Sequence, residues 1–395
     1  MSTLNTTNIK HASSSSNSIV LAADGTCTAE ITNRFGRNVL ANGAMRVCQR
    51  DTSKSGVTSS GYHTIDTYRF VDSSIGTWTV SQDSESPTQF SKSYKMACTT
   101  ANASPASSNS MRLECRLEGN QLQGFHKGTA DAKPLALSFW TKTNEPGVYT
   151  VALYDHDSNR NVAANYTVSS DEATNQTWVK REVVFPADTT GAWDDDNAKS
   201  ATLFFYFDVG SGFKSGTQNT SWGAASDAVT CPGMTAALGD STSNVFYLTG
   251  IQLETDRVTD YEHRSYADEL QRCKRYFNML ANPASETYSD DKGRQTIAWG
   301  QVNNVSSKYV YFSDIFDVPM RAAPSIYKVV GTSYFRIMIV GGANTTSDFD
   351  VQGTWTNCWE VRCTAVDSFT ADDRGNAVKL VCFNSAARFG FSAEL

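Results

Sequence analysis

The sequence contains no hydrophobic run of about 18 residues, so no segment is predicted to cross a membrane. It also has no basic block, since 34 Lys and Arg stand against 41 Asp and Glu and the net charge is −7. Nucleic-acid-binding proteins usually carry a clustered basic surface, so no nucleic-acid partner is expected. The opening stretch is polar and Ser-rich, and it lacks the apolar core of a secretory signal.

Cysteine occurs nine times but never in a Cys-x-x-Cys pair, and the five histidines are isolated. A structural zinc site usually takes two ligands from one tight turn, which requires that short spacing. Cys358 and Cys363 lie in a strand-like stretch at an odd spacing, so they would point to opposite faces. We therefore expect free, buried thiols in a chain made in a reducing cytoplasm.

The usual catalytic motifs are missing as well, since the sequence has no Gly-x-Ser-x-Gly turn and no Walker sequence. The acidic stretches 155–161 and 194–196 are predicted to be solvated turns. In the first of them, Arg160 and Tyr166 stand where an EF-hand needs Gly and Glu. Sequence spacing does not reveal a facing pair of carboxylates, so a glycoside hydrolase stays open as an alternative to a protein without catalysis.

Charged residues make up only 19% of the chain, against about 25% in average globular proteins. The surface must therefore be formed largely by Ser, Thr, Asn and Gly, which favour strands and turns. Hydrophobic residues make up 40%, including 20 Phe, 16 Tyr and 8 Trp, so sizeable cores are expected. These proportions predict an all-β protein.

Residues 1–37 are predicted to be a short N-terminal β anchor segment with a turn at Asp24-Gly25. Its β-like pieces lie at 6–10, 18–22 and 27–31, around a serine run at 13–16. The segment is too small to bury a core alone.

Residues 38–264 alternate short strands with turns, as a jelly-roll β-sandwich does, with strands expected at 134–142, 148–154, 178–185, 201–209 and 244–254.

A linking α-helix is predicted at 265–281, because Ser265 and Asp268 form a capping box and apolar residues follow at helical spacing. The apolar stripe consists of Tyr266, Leu270, Cys273, Phe277 and Leu280. Within it, Leu270, Cys273 and Phe277 are expected to pack under the jelly roll or between the two β units.

Residues 282–395 are predicted to form a second β-sandwich, with strands at 295–302, 309–316, 334–340, 358–365 and 377–383.

A series of motifs occurs in a fixed order between Asn42 and Phe277. They are Asn42-Gly43-Ala44-Met45, Gln49-Arg50-Asp51-Thr52-Ser53, residues 62–70, residues 137–140, Trp178, residues 245–254 and residues 261–277. In this order they resemble a carbohydrate-binding-module-like jelly roll that recurs in bacteriophage virion proteins, especially tail fibres and other surface appendages. Asp51 departs from the pattern, which usually has Gly there. Residues 4–26 also resemble the starts of structural proteins of marine phages.

The resemblance implies a non-enzymatic structural protein on the virion surface, a tail fibre or tail appendage that presents the jelly roll to host-surface glycans. A capsid decoration protein, such as a knob, spike or head fibre, is the alternative, and a polysaccharide depolymerase is a third. Residues 1–37 would contact other virion proteins. Trimers are common among such appendages, although no coiled-coil heptad is present to specify one.

Sugar-binding residues are expected among the tryptophans. Trp193 and Trp222 lie in polar loops, where an aromatic ring can stack on sugar. Trp140 and Trp178 lie in predicted strands and are expected to fill the core.

A structural calcium is the one cofactor that the resemblance implies. Related modules often hold such an ion where the first and last strands meet. Asn42, Glu254 and Asp256 would then be the nearest side-chain oxygens.

Deletion of residues 1–37 tests the anchor. We expect a soluble, folded remainder that no longer enters virions, because the segment cannot bury a core and depends on the particle or on sister chains for its order. The measurements are a melting curve of the purified remainder and detection of the shortened chain in purified particles. Normal incorporation would contradict the anchor role.

Overall fold

A computed structural model describes residues 6–13, 18–23, 27–29, 35–282, 295–304, 308–331, 334–339, 342–365, 374–382, 384 and 386–395. The first three strands, β1 (Asn8–Ile9), β2 (Ile19–Leu21) and β3 (Cys27–Ala29), form a small antiparallel sheet. Ile9, Val20 and Leu21 are exposed on it. The Asp24-Gly25 turn and most of the serine run lie outside the described residues.

The segment from residue 38 to 264 forms a two-sheet sandwich. Its elements are β4 (Ser53–Val57), β5 (Tyr68–Asp72), β6 (Thr77–Asp83), β7 (Ser93–Thr100), β8 (Ser110–Glu118), β9 (Leu135–Thr143), β10 (Gly147–Asp155), β11 (Arg160–Val168), α1 (Ser170–Asn175), β12 (Val179–Phe185), β13 (Lys199–Val209), β14 (Gly223–Ala224) and β15 (Val245–Thr255). The antiparallel sheets have the strand orders β14-β11-β10-β13-β8-β5 and β12-β9-β15-β7-β6-β4. The five strands expected here from the sequence are all present.

One hydrophobic core fills the space between these sheets. On β13, for example, Leu203, Phe205 and Phe207 are buried in the core, whereas Phe204 lies on the opposite face and is only partly buried. This period of two is what a strand between a core and an outer surface requires. The predicted all-β sandwich class is confirmed.

The start and the end of the sandwich meet side by side, as a jelly roll requires. Ile251 N donates to Gly43 O at 3.0 Å, and a Cβ atom on Gly43 would lie 2.1 Å from Ile251 O. Only glycine fits such a close approach of two backbones. Asn42 has a left-handed φ of 56°, and its side chain binds both the N–H and the carbonyl of Val47. The Asn42-Gly43 motif therefore closes the sandwich.

Helix α2 (Tyr266–Lys274) begins where the sequence predicts, since the Ser265 side chain accepts a hydrogen bond from Asp268 N at 3.1 Å. The predicted end at 281 was wrong, because Phe277–Ala281 is strand β16. Its backbone pairs with a strand near residue 390, and local periodicity carries no signal of so distant a partner. No helix in the described part of the chain is long and apolar enough to cross a membrane.

The buried side of α2 differs from the predicted stripe. Cys273 and Phe277 are fully buried, but Leu270 is half-buried and Tyr266 is 47% exposed. The helix turns Glu269 inward instead, where Asn42 N and Arg264 donate hydrogen bonds to its carboxylate. This carboxylate holds the helix against the closure of the sandwich.

The remaining strands are β17 (Gln295–Asn304), β18 (Tyr309–Ile315), β19 (Ser325–Val329), β20 (Phe335–Ile339), β21 (Gly342–Thr354), β22 (Cys358–Ala365), β23 (Ala377–Cys382) and β24 (Arg388–Ser392). In the described segments, β17-β18-β22-β21-β20-β23 form a closed barrel around a second core, and β16-β24-β19 form a small sheet. The second β-sandwich predicted for residues 282–395 would have two open sheets. In the structure, the pairing of β17 with β23 closes one sheet on itself.

A buried ionic cluster joins the sandwich to the C-terminal strands. The Arg50 guanidinium lies 2.7 Å from Glu394 Oε2 and 3.8 Å from Asp66 Oδ1. It also lies 3.4 Å from the centroid of the Phe277 ring, and that ring meets Tyr327 edge-on at 5.1 Å. One cation thus faces two carboxyls, and burial raises the pKa of Asp66 and raises the pKa of Glu394 to about 7.

Truncation of Phe277 tests this junction. Phe277→Ala should lower the free energy of unfolding by about 3–5 kcal/mol, because it removes a fully buried ring and leaves the Arg50 guanidinium uncovered. Tyr266→Ala, at an exposed position of α2, is the matched control and should have a much smaller effect. Denaturant unfolding measures both; an unchanged midpoint for Phe277→Ala would contradict this packing.

Glu394 predicts a pH dependence of stability. Because its pKa is raised from 4.5 to about 7, its contribution is fully present below pH 4.5 and is lost as the pH rises through 7. The melting temperature should therefore fall over this window in the native protein, and Glu394→Gln should flatten that part of the profile. Glu182→Gln, on an exposed part of β12, is the control. Equal profiles for native protein and Glu394→Gln would show that this carboxyl does not titrate there.

Candidate functional site

The outer face of the sheet that contains β8, β10 and β13 carries polar and aromatic side chains. The outward residues of β8 are Ser110, Arg112, Glu114 and Arg116. The outward residues of β13 and β10 include Thr202, Phe204, Tyr206, Ala152 and Tyr154. The inward residues of the same strands belong to the core, to which the outward Ala152 and Tyr206 also contribute.

Strand register arranges these residues in rows across the sheet. One row, from β11 to β8, consists of Asn161, Tyr154, Thr202 and Arg116. The next row consists of Ala163, Ala152, Phe204 and Glu114. The third consists of Asn165, Thr150, Tyr206 and Arg112. Because the middle row has two alanines, the surface is lowest between the Tyr154 and Tyr206 rows.

These rows form the floor of a cleft of about 690 Å³, called the sheet cleft below. Its walls include Val71 at the β5 edge and Phe213, Asp227 and Thr230 from the segments that follow β13 and β14. The volume lies within the range of small-molecule sites in proteins. The Tyr154 hydroxyl donates to Asn159 Oδ1 at 2.7 Å, which fixes one aromatic ring at the edge of the cleft.

Three guanidinium groups surround one carboxylate in the sheet cleft. Glu114 lies 2.8 Å from Arg116, 2.9 Å from Arg112 and 3.2 Å from Arg69. Burial alone would raise the pKa of Glu114, but the positive charges of the three arginines outweigh it and hold the pKa below its usual value. Glu114 is therefore a fixed negative charge that orients arginines.

Lys199 and His156 lie at the end of the cleft next to Arg116. Burial, then the charge of Arg116, lowers the pKa of Lys199. Burial, then the charges of Lys199 and Arg116, lowers the pKa of His156 to about 4, so its imidazole is neutral near pH 7. Its Nε2 lies 2.8 Å from Thr202 Oγ1. This end of the cleft has a positive potential and offers neutral hydrogen-bonding groups beside it.

The structure places Trp193 and Trp222 in the core of the sandwich, 5% and 8% exposed. Their rings meet edge-on at 6.1 Å, and the buried ammonium of Lys127 lies 5.3 and 4.8 Å from them. Trp222 also donates its indole N–H to Pro186 O. Neither ring offers an open face to sugar, so the predicted role is not supported; these polar loops fold back over the sandwich and bury their tryptophans.

The strand tryptophans have the opposite placement. Trp140 and Trp178 are half-buried on the outer face of the other sheet, and neither belongs to the hydrophobic core. The Trp178 indole donates to Glu85 at 3.1 Å, and its ring lies 6.1 Å from Tyr247. The expectation that they fill the core was wrong, because strand position alone does not say which of the two faces is inward.

Two of the three residues predicted for calcium have their side chains engaged by protein groups. The Asn42 side chain is used by Val47, and Glu254 accepts hydrogen bonds from the N–H and the hydroxyl of Thr259. Asp256 is exposed. Among the described residues, no group of three or more His, Cys, Asp or Glu could hold a metal ion. The nine cysteines are not joined in disulfides, and six of them are buried.

The sheet cleft was not predicted from the sequence, although a signal for it exists. Residues 110–117 alternate strictly between polar or charged and apolar types, which indicates a strand with one outer face. Phe204 and Tyr206 then stand out as aromatics on the outward positions of a second strand. Which strands are neighbours, however, is decided by the sheet order.

No known family model matches the sequence, and no curated protein does. Among solved structures, the chain is similar to the enzymatically active domain of tailspike protein 4 of bacteriophage CBA120, at 10% identity and a TM-score of 0.29. The match covers 57% of this chain and 23% of the tailspike chain, so this chain spans less than a quarter of the length of that protein.

Two carbohydrate-binding modules are also similar. The family 11 module of the Clostridium thermocellum cellulase Lic26A-Cel5E is 11% identical over 53% of this chain and 98% of that chain, with a TM-score of 0.27. The CBM22 tandem of Paenibacillus barcinonensis Xyn10C is 9% identical over 82% and 93% of the two chains, with a TM-score of 0.24. Similarities this low carry no argument about function, which must come from the chain's own residues.

Proposed function

We propose that this chain is a non-enzymatic surface protein of a phage virion that binds host-surface polysaccharide in the sheet cleft. The observation that carries the glycan-binding part is the cleft itself, where aromatic rings and hydrogen-bonding side chains share one open concave face. The virion part is supported by the ordered sequence motifs and by the N-terminal segment.

The chemistry of the cleft suits a sugar. The partly buried rings of Tyr154 and Phe204 provide apolar faces, against which the C–H side of a pyranose can pack. Around them, the exposed side chains of Asn159, Ser108 and Ser226 provide the amide and hydroxyl groups that pair with sugar hydroxyls. Small-molecule sites in proteins typically combine apolar and aromatic surface with a few directed polar groups.

The state of Glu114 supports binding without hydrolysis. A retaining or inverting glycosidase needs one carboxyl whose pKa is raised, so that it can donate a proton to the leaving group. The three arginines hold Glu114 ionised, and the other carboxylate that lines the cleft, Asp227, lies in its wall. Glu114 therefore serves as a charge partner for the arginines and not as an acid catalyst.

The place on the particle is proposed from the sequence motifs. A tail fibre or tail appendage is the preferred role, since weak cleft binding gains avidity when many copies face a polysaccharide. A capsid decoration protein is the alternative. Cryo-EM of particles with a tagged chain distinguishes them, because the tag lies either on the tail or on the outer head surface.

Tyr154→Ala tests the cleft. The variant should bind host-surface polysaccharide about tenfold more weakly than the native protein, because a lost ring contact of about 1.4 kcal/mol corresponds to that factor. Trp178→Ala removes a half-buried ring from the opposite sheet and is the matched control. Affinity electrophoresis in gels that contain the polysaccharide measures both, with melting curves to show that each variant is folded.

Two results would contradict the proposal. Equal weakening by Trp178→Ala and Tyr154→Ala, or weakening by Trp178→Ala alone, would move the binding surface away from the sheet cleft. New reducing ends after incubation with the native protein would identify a depolymerase instead.

A further inference from the structure

The charge of the sheet cleft is opposite to that of the whole chain. The protein has a net charge of −7, yet three guanidinium groups gather around the single carboxylate of Glu114. Lys199 adds a fourth cation at the same end of the cleft. The other carboxylate that lines the cleft, Asp227, belongs to its wall after β14. Around Glu114 the cleft therefore carries more positive than negative charge, and Arg116 also donates to Leu395 O.

Lys199 is the cation that is free to bind. The donor groups of Arg112 and Arg116 are directed at Glu114, at Ser110 and at Leu395 O. In the described part of the chain, the Lys199 ammonium has neither an ion pair nor a hydrogen bond. It is partly buried, and burial and then the charge of Arg116 lower its pKa, while the Glu114 carboxylate opposes them and does not outweigh them. An ammonium held in this way, partly desolvated and beside like charge, is stabilised when an anion arrives.

The position of Lys199 fits a glycan that lies on the aromatic rings. Tyr154, Thr202 and Arg116 occupy one row on three successive strands, so the backbones that carry the ring and the guanidinium are about 10 Å apart. If one sugar residue of a polysaccharide packs on Tyr154, the next sugar residue of the same chain lies near Arg116 and Lys199. A charged substituent on that second sugar residue then lies at the positive end of the cleft.

We propose that the sheet cleft selects acidic polysaccharides, whose carboxylate or sulfate groups pair with the Lys199 ammonium in the field of Arg116. This inference rests on the proposed glycan-binding function and adds the class of ligand. Arg116 and Arg112 act as positioning residues, since their own hydrogen bonds are taken by protein groups.

The test uses pairs of polysaccharides that differ only in charge. Polygalacturonate is compared with its methyl ester, and a sulfated galactan with its desulfated form, by affinity electrophoresis with the full chain. The native protein should bind the charged member of a pair at least about tenfold more tightly at low salt, and added salt should weaken this binding. If the protein prefers the charged member only in the polygalacturonate pair, the anion that it selects is carboxylate. If it does so only in the galactan pair, the anion is sulfate.

Variants of Lys199 distinguish a specific contact from general attraction. Lys199→Met should remove most of the preference for the charged polysaccharide, and Lys199→Arg should keep it, because the charge is retained. Lys54→Met makes the same change of charge at an exposed position on β4, outside the cleft, and should bind as the native protein does. Equal losses from Lys199→Met and Lys54→Met would overturn the proposal, since they would indicate non-specific attraction.

The failure of this inference differs from the failure of the proposed function. If charged and neutral members bind alike in the native protein and in Lys199→Met, while Tyr154→Ala weakens both, the cleft binds glycans without selecting acidic ones. If neither pair nor the host-surface polysaccharide is retained by the native protein, glycan binding itself is wrong.

Discussion

The close contact between the start and the end of the sandwich is the constraint on which the rest of the structure depends. Asn38 Oδ1 accepts the N–H of Leu253, Val39 N donates to Leu253 O, and Gly43 admits the backbone of Ile251 at a distance that no other residue allows. This contact closes the jelly roll. The segment that leaves it, from Glu262 onward, is then directed along the edge of the sandwich.

Charged groups fix that exit. Glu262 accepts the N–H of Asn38, and Arg264 binds both Leu40 O and the Glu269 carboxylate, so helix α2 is held at the closure. Strand β16 follows directly and leads into the cluster around Arg50. Because these groups are buried, removal of one partner leaves an unpaired charge, which is more destabilising than loss of the contact itself. The two β units are thus joined through buried ionic contacts.

Most of the motifs that gave the sequence its resemblance belong to this framework; Arg69, within residues 62–70, is an exception, since it pairs with Glu114 in the sheet cleft. Asn42 and Gly43 close the sandwich, Gln49 binds the backbone of Phe277 and Met279, and Asp51 pairs with Arg388 of β24 at 3.0 Å. A glycine at residue 51 would lack this ion pair. The sheet cleft lies mainly on β8, β10 and β13, which are outside these motifs.

The sequence by itself determined the all-β class, the position of most of the predicted strands and the start of helix α2. These follow from local patterns: the period of two places Cys358–Ala365 as β22, and the side chain of Ser265 caps the helix within its own turn. Only the tertiary structure decided where the helix ends, which tryptophans are buried and which side chains share the cleft. Phe277 becomes a strand residue through its pairing with Ser392, and Tyr154 shares a row with Arg116 through the order of three strands. Such pairings join residues that are far apart in the chain, so no local pattern encodes them, and they depend on how the sheets assemble.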